Sequence, residues 1–385
     1  MKQTKLLFIF LITTQIVFAQ RFKNKELATI DKLALAIPDS LTTSTDKIAE
    51  YMSSKFSDDA TKSRAIFIWV ASNIQYDIAN IYALNFYEKR EEKVVKALKT
   101  RKGICEHYAS LFSDICEKAG IKSYVIEGYT KQNGYTDYMP HAWNAALIDS
   151  SWYLFDPTWG SGFILDGRFI RKINNNYFMA FPNYFITSHM PFDYLWQCVT
   201  NPITNQEFYE SKLQKEPKSF FNYNDSIRLY ESQSHLEQIR SSAYRVEKNG
   251  LKNSMIFDRL QHLKLEIENE RQSTIVKNFN SATFEYNLGI QIFNSFIEYR
   301  NKQFTPSKSD TAIQNILNFA SLKFTTSKLK LAEIKNPNEN LVEMINQLNK
   351  SIDDIKLKLE EQQTWLNTYF KKNKVARKLL FYERG

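Results

Sequence analysis

Cysteine is scarce, with only Cys105, Cys116 and Cys198 in a chain of 385 residues. An odd count leaves at least one thiol free, and the lack of any paired CxxC motif removes the usual zinc and disulfide frameworks. Cys105 and Cys116 fall on one predicted helix, roughly 16 Å apart at about 1.5 Å per residue, so a bridge between them is excluded and free thiols are expected. Histidine is nearly as rare, at 5 residues without zinc-site spacing, so neither a metal nor an organic cofactor is expected. Gly 10 and Pro 9 are too few for a collagen-like or flexible low-complexity chain. Long apolar runs are missing as well. The one concentrated stretch, residues 6–18 of MKQTKLLFIFLITTQIVFAQ, is about 13 residues long, short of the roughly 20 that span a bilayer.

That stretch follows Lys2 and Lys5 and ends with Val17 and Ala19 placed as small residues before a cleavage point. A signal peptide over 1–19 is therefore expected, with a mature chain exported to the periplasm or cell exterior after cleavage near Ala19. The 43% hydrophobic and 14% aromatic content excludes global disorder, and the length fits two domains. The formal charge of +9 is concentrated late in the chain, where residues 301–385 carry 15 basic and 9 acidic groups. Lys371, Lys372, Lys374, Arg377, Lys378 and Arg384 read as a solvated helix terminus. No nucleic-acid motif accompanies them, so nucleic acid is not an expected partner.

Residues 20–205 have a mixed pattern. Apolar residues at helical spacing predict helices over 45–56 and 59–74, the second capped from Ser57, Asp58 and Asp59. A helix over 105–119 with Ala109, Phe112 and Cys116 on its inward stripe is stopped by Gly120. Strands are predicted over 123–130, 142–148 and 152–155. From 206 to 385 the pattern turns to long polar helices with sparse apolar positions, read as a helical bundle or hairpin. Its last helix, 339–370, carries Leu341, Met344, Ile345, Leu348, Ile352, Ile355, Leu359 and Leu366, a near-heptad, coiled-coil-like stripe expected to pack as core.

Three segments supply complementary chemistry. KGIC delivers Cys105 to a helix start, where free N–H groups and the macrodipole favour a thiolate. HAWN opens a strand with His141. WYLFDPTW ends a strand at Asp156. Thiolate, base and orienting carboxylate are the parts of nucleophilic acyl transfer. If Asp149 and Ser150 form a two-residue turn, Ile148 pairs with Ser151, Trp143 pairs with Asp156, and His141 becomes a diagonal neighbour about 7 to 8 Å away by backbone, within side-chain reach. His107 is expected at the surface or behind the site, and Glu106 facing solvent. The backbone N–H of Cys105 is the generic oxyanion donor; Trp69 reads as core. Of Trp143, Trp152 and Trp159, at least two are expected to pack, and His189 and Cys198 are given structural roles.

The blocks GICEHYASLF, HAWNAALID and WYLFDPTWG, in that order, resemble the signature blocks of the transglutaminase-like superfamily. IFIWVASNIQYD and YFMAFPNYFITSHMPFDYLWQ resemble segments of its microbial branch, which is similar to kyphoscoliosis peptidase and cytokinesis-related proteins. The resemblance covers roughly residues 45–200. It implies an α+β, papain-like core in which a Cys helix packs on an antiparallel sheet, here followed by an all-α C-terminal region. It also implies Cys105 as nucleophile, His141 as base and Asp156 as orienter. Where many relatives have a small or Gln-Gly pair after the Cys, this chain has Glu106 and His107. The expected activity is thiol-dependent acyl transfer, hydrolysing an amide or peptide bond of a protein or peptide substrate through a Cys105 thioester. The rival expectation is a catalytically silent module that binds an envelope partner through its helical region. Oligomeric state has no signal in the sequence.

Overall fold

The computed structural model describes residues 24–212 and 220–382. The expected signal peptide lies outside the described residues. Among the described residues, no helix is long and apolar enough to cross a membrane.

Five helices open the fold: α1 (Asn24–Leu35), α2 (Thr45–Lys55), α3 (Asp59–Asn73), α4 (Arg90–Thr100) and α5 (Cys105–Lys118). Their starts follow local rules. Ser44 accepts from the Lys47 N–H and Asp58 accepts from the Thr61 N–H, which satisfies donors that a helix start leaves free. α3 is apolar on most sides, and Ala65 through Ala71 are all buried, as expected of a helix at the centre of a core. Its buried Arg64 is neutralised by a bidentate pair with Asp31 of α1 at 2.7 and 2.8 Å, and a third donor reaches Asn175 at 2.8 Å.

Between α3 and α5, β1 (Gln75–Tyr76) pairs in parallel with β2 (Lys102–Gly103). The main sheet contains β3 (Ser123–Gln132), β4 (Tyr135–Ile148), β5 (Ser151–Phe155) and β8 (His189–Pro191), in the order β5-β4-β3-β8 and antiparallel throughout. A separate ribbon joins β6 (Gly162–Leu165) to β7 (Arg168–Arg171). β4 and β5 are linked by Asp149 and Ser150, both at positive φ (46° and 66°), the geometry of a tight two-residue hairpin. Ile148 pairs with Ser151 and Asn144 with Phe155, the register expected from the sequence.

Both faces of this sheet are covered. Ala146, Ile148, Tyr153 and Phe155 join the core built with α2, α3 and α5. On the other face Ile126, Trp143, Trp152 and Leu154 pack with Leu195, Trp196 and Ile227. The 206–385 region was expected to be one helical unit, yet the division into compact units falls between Lys264 and Leu265. The reason is that second face. Helices α7 (Asn205–Glu210), α8 (Tyr223–Ser232) and α9 (His235–Lys248) belong to the first unit, where Ile227 fills the sheet-side cluster and Arg245 grips Asp193 at 2.6 and 2.7 Å. Helix α6 (Pro182–Phe185) also lies on this side, through Phe185.

The division lies inside α10 (Ser254–Asn301), and the second unit goes on through α11 (Asp310–Ala332), α12 (Glu339–Phe370) and α13 (Lys374–Leu379). Ile352, Leu359 and Leu366 of α12 are buried with Phe296, Phe304, Leu317 and Phe324, and Ile345, Leu348 and Ile355 pack partly buried against them, whereas Met344 of the expected stripe is exposed. Arg377 of the basic terminus forms a bidentate pair with Asp310 at 2.8 and 2.7 Å.

Gly128 controls how the site strands approach. It faces His141 across β4 and Pro191 across β8, and a Cβ built there would stand 2.2 Å from the Met190 carbonyl oxygen and 2.4 Å from the Trp143 ring. Neither neighbour can yield cheaply, since one is backbone and the other a buried ring. Gly128→Ala is expected to cost about 1 to 3 kcal/mol through overpacking, lowering the midpoint of a thermal melt by roughly 2 to 10 °C. An unchanged melting curve would show that β8 moves aside freely.

Candidate functional site

Cys105 is the first residue of α5, the position whose backbone N–H has no partner within the helix. The preceding turn is tight: a Cβ on Gly103 would meet His107 Cβ at 2.5 Å, so only glycine lets β2 run directly into this helix. Ile104 has no capping oxygen for the first-turn N–H groups; from the third helical position His107 Nδ1 accepts from the Ile104 N–H at 3.4 Å, the reciprocal half of a capping box. His107 was expected at the surface or behind the site; it is buried and serves as a cap.

Glu106 differs from expectation. The residues between α3 and α4 cover its side of the helix, so its carboxylate is buried rather than in solvent. There it accepts from the Asn85 N–H at 3.0 Å and pairs with the buried Lys93 ammonium at 2.8 Å. The charge beside Cys105 is thus compensated.

His141 and Asp156 meet as the hairpin register requires. His141 Nε2 donates to Asp156 Oδ2 at 2.8 Å. That leaves Nδ1 as the ring nitrogen for the Cys105 sulfur, with which the His141 side chain interacts. Cys105 itself packs with Ala109 and Ala142, the residue after His141. Asn144 ties the strand to the helix by donating to the Ala109 carbonyl at 2.9 Å.

Asp156 has no solvent exposure, and both its oxygens are saturated. Oδ1 accepts from the Thr158 and Trp159 N–H groups at 2.8 and 3.0 Å. Oδ2 accepts from His141 and, at 3.2 Å, from His189 Nε2. His189 was assigned no partner by sequence reasoning. Its approach depends on β8 pairing with β3, and no local motif announces that pairing.

The charges follow from this arrangement. Burial alone would raise the Asp156 carboxyl, but the His141 and His189 imidazoles hold it well below its ordinary range. Burial opposes the charged form of His141, and the Asp156 carboxylate and Cys105 sulfur outweigh it, raising its pKa to about 10. For His189 burial wins and lowers the pKa to about 4. Burial also pushes the Cys116 and Cys198 thiols up. All three cysteines are free.

Among the described residues, two clusters of side chains have the composition of metal ligands, His141, Asp156, His189 and Glu88, Glu106, His107. In the first, both Nε2 atoms donate to the same carboxylate oxygen, so their lone pairs are not offered to a cation. In the second, His107 Nδ1 accepts a hydrogen bond, which leaves the proton on Nε2, and Lys93 already neutralises Glu106. Neither donor set fits a metal as it stands.

Cys105 and His141 open onto a cleft of about 1260 Å³, walled by Tyr76, Trp159, Phe169 and Tyr177 among others. Trp143 and Trp152 are packed in the sheet-side cluster, and Trp69 is wholly buried in the main core. Tyr76 is a cleft residue that sequence reasoning passed over. Burial, together with the nearby Cys105 and Asp156 charges, raises its phenol pKa and keeps it a neutral donor.

Residues 46–157 match the transglutaminase-like superfamily, a span that includes Cys105, His141 and Asp156. Human kyphoscoliosis peptidase is 34% identical over 172 residues, covering 43% of this chain and 25% of that protein. Hillarin of Drosophila melanogaster is 26% identical over 204 residues, covering 48% of this chain and 24% of hillarin. This chain thus spans about a quarter of the length of these relatives. Among solved structures, the periplasmic domain of TgpA from Pseudomonas aeruginosa is similar at 20% identity and a TM-score of 0.25, over 35% of this chain and 49% of that one. The antiparallel sheet behind the Cys105 helix and the matched span together identify this chain as one that carries a domain of the transglutaminase-like superfamily.

Proposed function

We propose that this protein is a thiol-dependent acyl-transfer enzyme acting outside the cytoplasm, and that it hydrolyses an amide or peptide bond through a Cys105 thioester. The observation that carries this reading is the pairing of a helix-start cysteine with an imidazole already held at 2.8 Å by a buried carboxylate. The basic and then apolar start of the sequence supports export.

In the proposed cycle the Cys105 sulfur attacks the substrate carbonyl, and the C=O π electrons pass to the oxygen. The Cys105 N–H meets that oxyanion, with the Tyr76 phenol as a second donor from the cleft wall. The tetrahedral species collapses, and the C–N bond breaks as His141 protonates the departing amine, which leaves the thioester. A water molecule then gives its proton to His141 and attacks the thioester carbonyl. Collapse releases the carboxylic acid and restores the thiolate and imidazolium. An amine in place of water would give transamidation by the same steps. The cleft is open and rich in aromatic residues, which suits an extended peptide with apolar side chains.

Mass spectrometry of peptides incubated with the wild type and with Cys105→Ala tests the reading. Products made by the wild type alone support it. If Cys105 is alkylated no faster in the wild type than in His141→Ala, the binding-module reading takes its place.

Asp156 separates orientation from packing. Asp156→Ala is expected to lower turnover by about 10² to 10⁴. Asp156→Asn is expected to fall nearly as far, because an amide oxygen kept on the Thr158 and Trp159 N–H groups turns the NH₂ towards two imidazole donors. His141 must then rotate or change tautomer. Steady-state rates, with circular dichroism to confirm folding, check this, and near wild-type turnover in Asp156→Asn would refute it.

The raised His141 pKa fixes a sign for pH dependence. Its imidazolium is stabilised in the folded protein, a contribution fully present below about 6.5 and lost as pH rises through about 10. Turnover, which needs that proton for the leaving group, is expected to fall as pH rises through about 10. Cys105 alkylation, which needs only the thiolate, is not expected to fall there. Parallel pH profiles of the two rates decide the point.

A further inference from the structure

We propose that His189 is a positioning residue of this centre, holding the Asp156 carboxylate in the orientation that directs His141 towards Cys105. This rests on the reading of Cys105 as nucleophile.

The argument begins with the two ring nitrogens. His189 Nε2 lies 3.2 Å from Asp156 Oδ2, and an ionised carboxylate only accepts, so Nε2 carries the proton. His189 Nδ1 lies 2.8 Å from the Ser188 hydroxyl, so this nitrogen is the acceptor and Ser188 the donor. The tautomer is therefore set from outside the site, through the chain Ser188, His189, Asp156, His141.

The ring is also clamped. Phe185 stacks on it at 3.9 Å between centroids, and Trp159 and Trp143 meet it edge-on at 4.7 and 5.2 Å. Such an enclosure disfavours an imidazolium. The titratable groups that act on His189 are Asp156, His141 and Asp137. Their pull does not overcome burial, and a pKa near 4 leaves the ring neutral. A neutral donor strengthens the site without adding a second positive charge beside His141.

Geometry makes the contact specific. His189 pairs with Thr130 and Pro191 with Gly128, while His141 pairs with Gly128 from the other side. The two histidines thus flank one strand on the same face, diagonally across it, and Gly128 opposite His141 has no side chain to crowd them. Their rings lie 5.7 Å apart, both on Oδ2. With His189 in place Oδ2 is bonded from two directions, so the carboxylate cannot swing away from His141 without breaking a buried bond.

The test is the alkylation rate of Cys105 by iodoacetamide between pH 4 and 9, localised by peptide mass spectrometry in the full chain. His189→Phe keeps the aromatic packing and removes the donor. On the acid limb its Cys105 is expected to react up to about 10-fold more slowly, with that limb displaced upward by about one unit, the scale of one hydrogen bond to a charged group. His189→Gln can place an amide N–H near the Nε2 position and is expected to recover most of the rate.

A His189→Phe profile that overlays the wild type overturns the proposal while leaving the nucleophile reading intact. The same holds if both variants slow equally with the acid midpoint unmoved, since ring packing alone would then explain the loss. Wild-type Cys105 reacting no faster than in His141→Ala removes the nucleophile reading, and this inference with it. Should His189→Phe fail to fold by circular dichroism, Ser188→Ala decides. It frees the tautomer without touching the carboxylate, and a smaller upward shift of the same limb supports the proposal whereas an unchanged profile overturns it.

Discussion

A carboxylate with no exposure to water dominates the architecture of the first unit. Removing an ion of this size from solvent costs several kcal/mol even after relaxation, so Asp156 needs donors on every side. Two come from the backbone of the turn that Pro157 helps to set, and two from imidazoles on different strands. Each charge-assisted bond contributes about 1.5 to 3 kcal/mol, and together they suffice to keep the group ionised. The β4–β5 hairpin, the addition of β8 to the sheet and the turn after β5 each place one part of this shell.

Rigidity follows from the same arrangement. Cys105 sits on a helix and His141 on a sheet, two elements that could slide past one another. Asn144 prevents this by bonding its amide to the Ala109 carbonyl, one turn beyond Cys105. The Phe112 and Phe155 rings, 5.1 Å apart, pack the same two elements deeper in the core. The two side chains are thus placed by a polar tie near the cleft and apolar packing behind it.

The sequence made much of this legible, for a physical reason. Cys105, His141 and Asp156 depend on a helix start and a hairpin, and Gly103, Asp149 and Ser150 mark both locally. What could not be read depends on contacts without local cause. His189 reaches Asp156 because β8 adds to the far side of β3, a pairing of three residues. Glu106 is buried by an irregular stretch whose path follows no periodicity. The extent of the first unit was hidden because the helices after residue 205 look polar, while the few apolar residues that cover the sheet, such as Ile227, carry little weight in a window average.

Lys93 and Glu106 bear on how this chain can change over time. They are partners at 2.8 Å with almost no access to water, and Glu106 is the residue directly after Cys105 at the start of its helix. Losing either alone strands a buried charge, a penalty of about 3 to 5 kcal/mol, and an orphaned Glu106 would also set an anion next to the thiol. Replacing both by apolar residues of similar size would be close to neutral. The two positions are therefore bound into a single heritable unit. A lineage can leave this arrangement only by a double replacement or through a strongly destabilised intermediate, so the pair acts as a ratchet on the neighbourhood of Cys105.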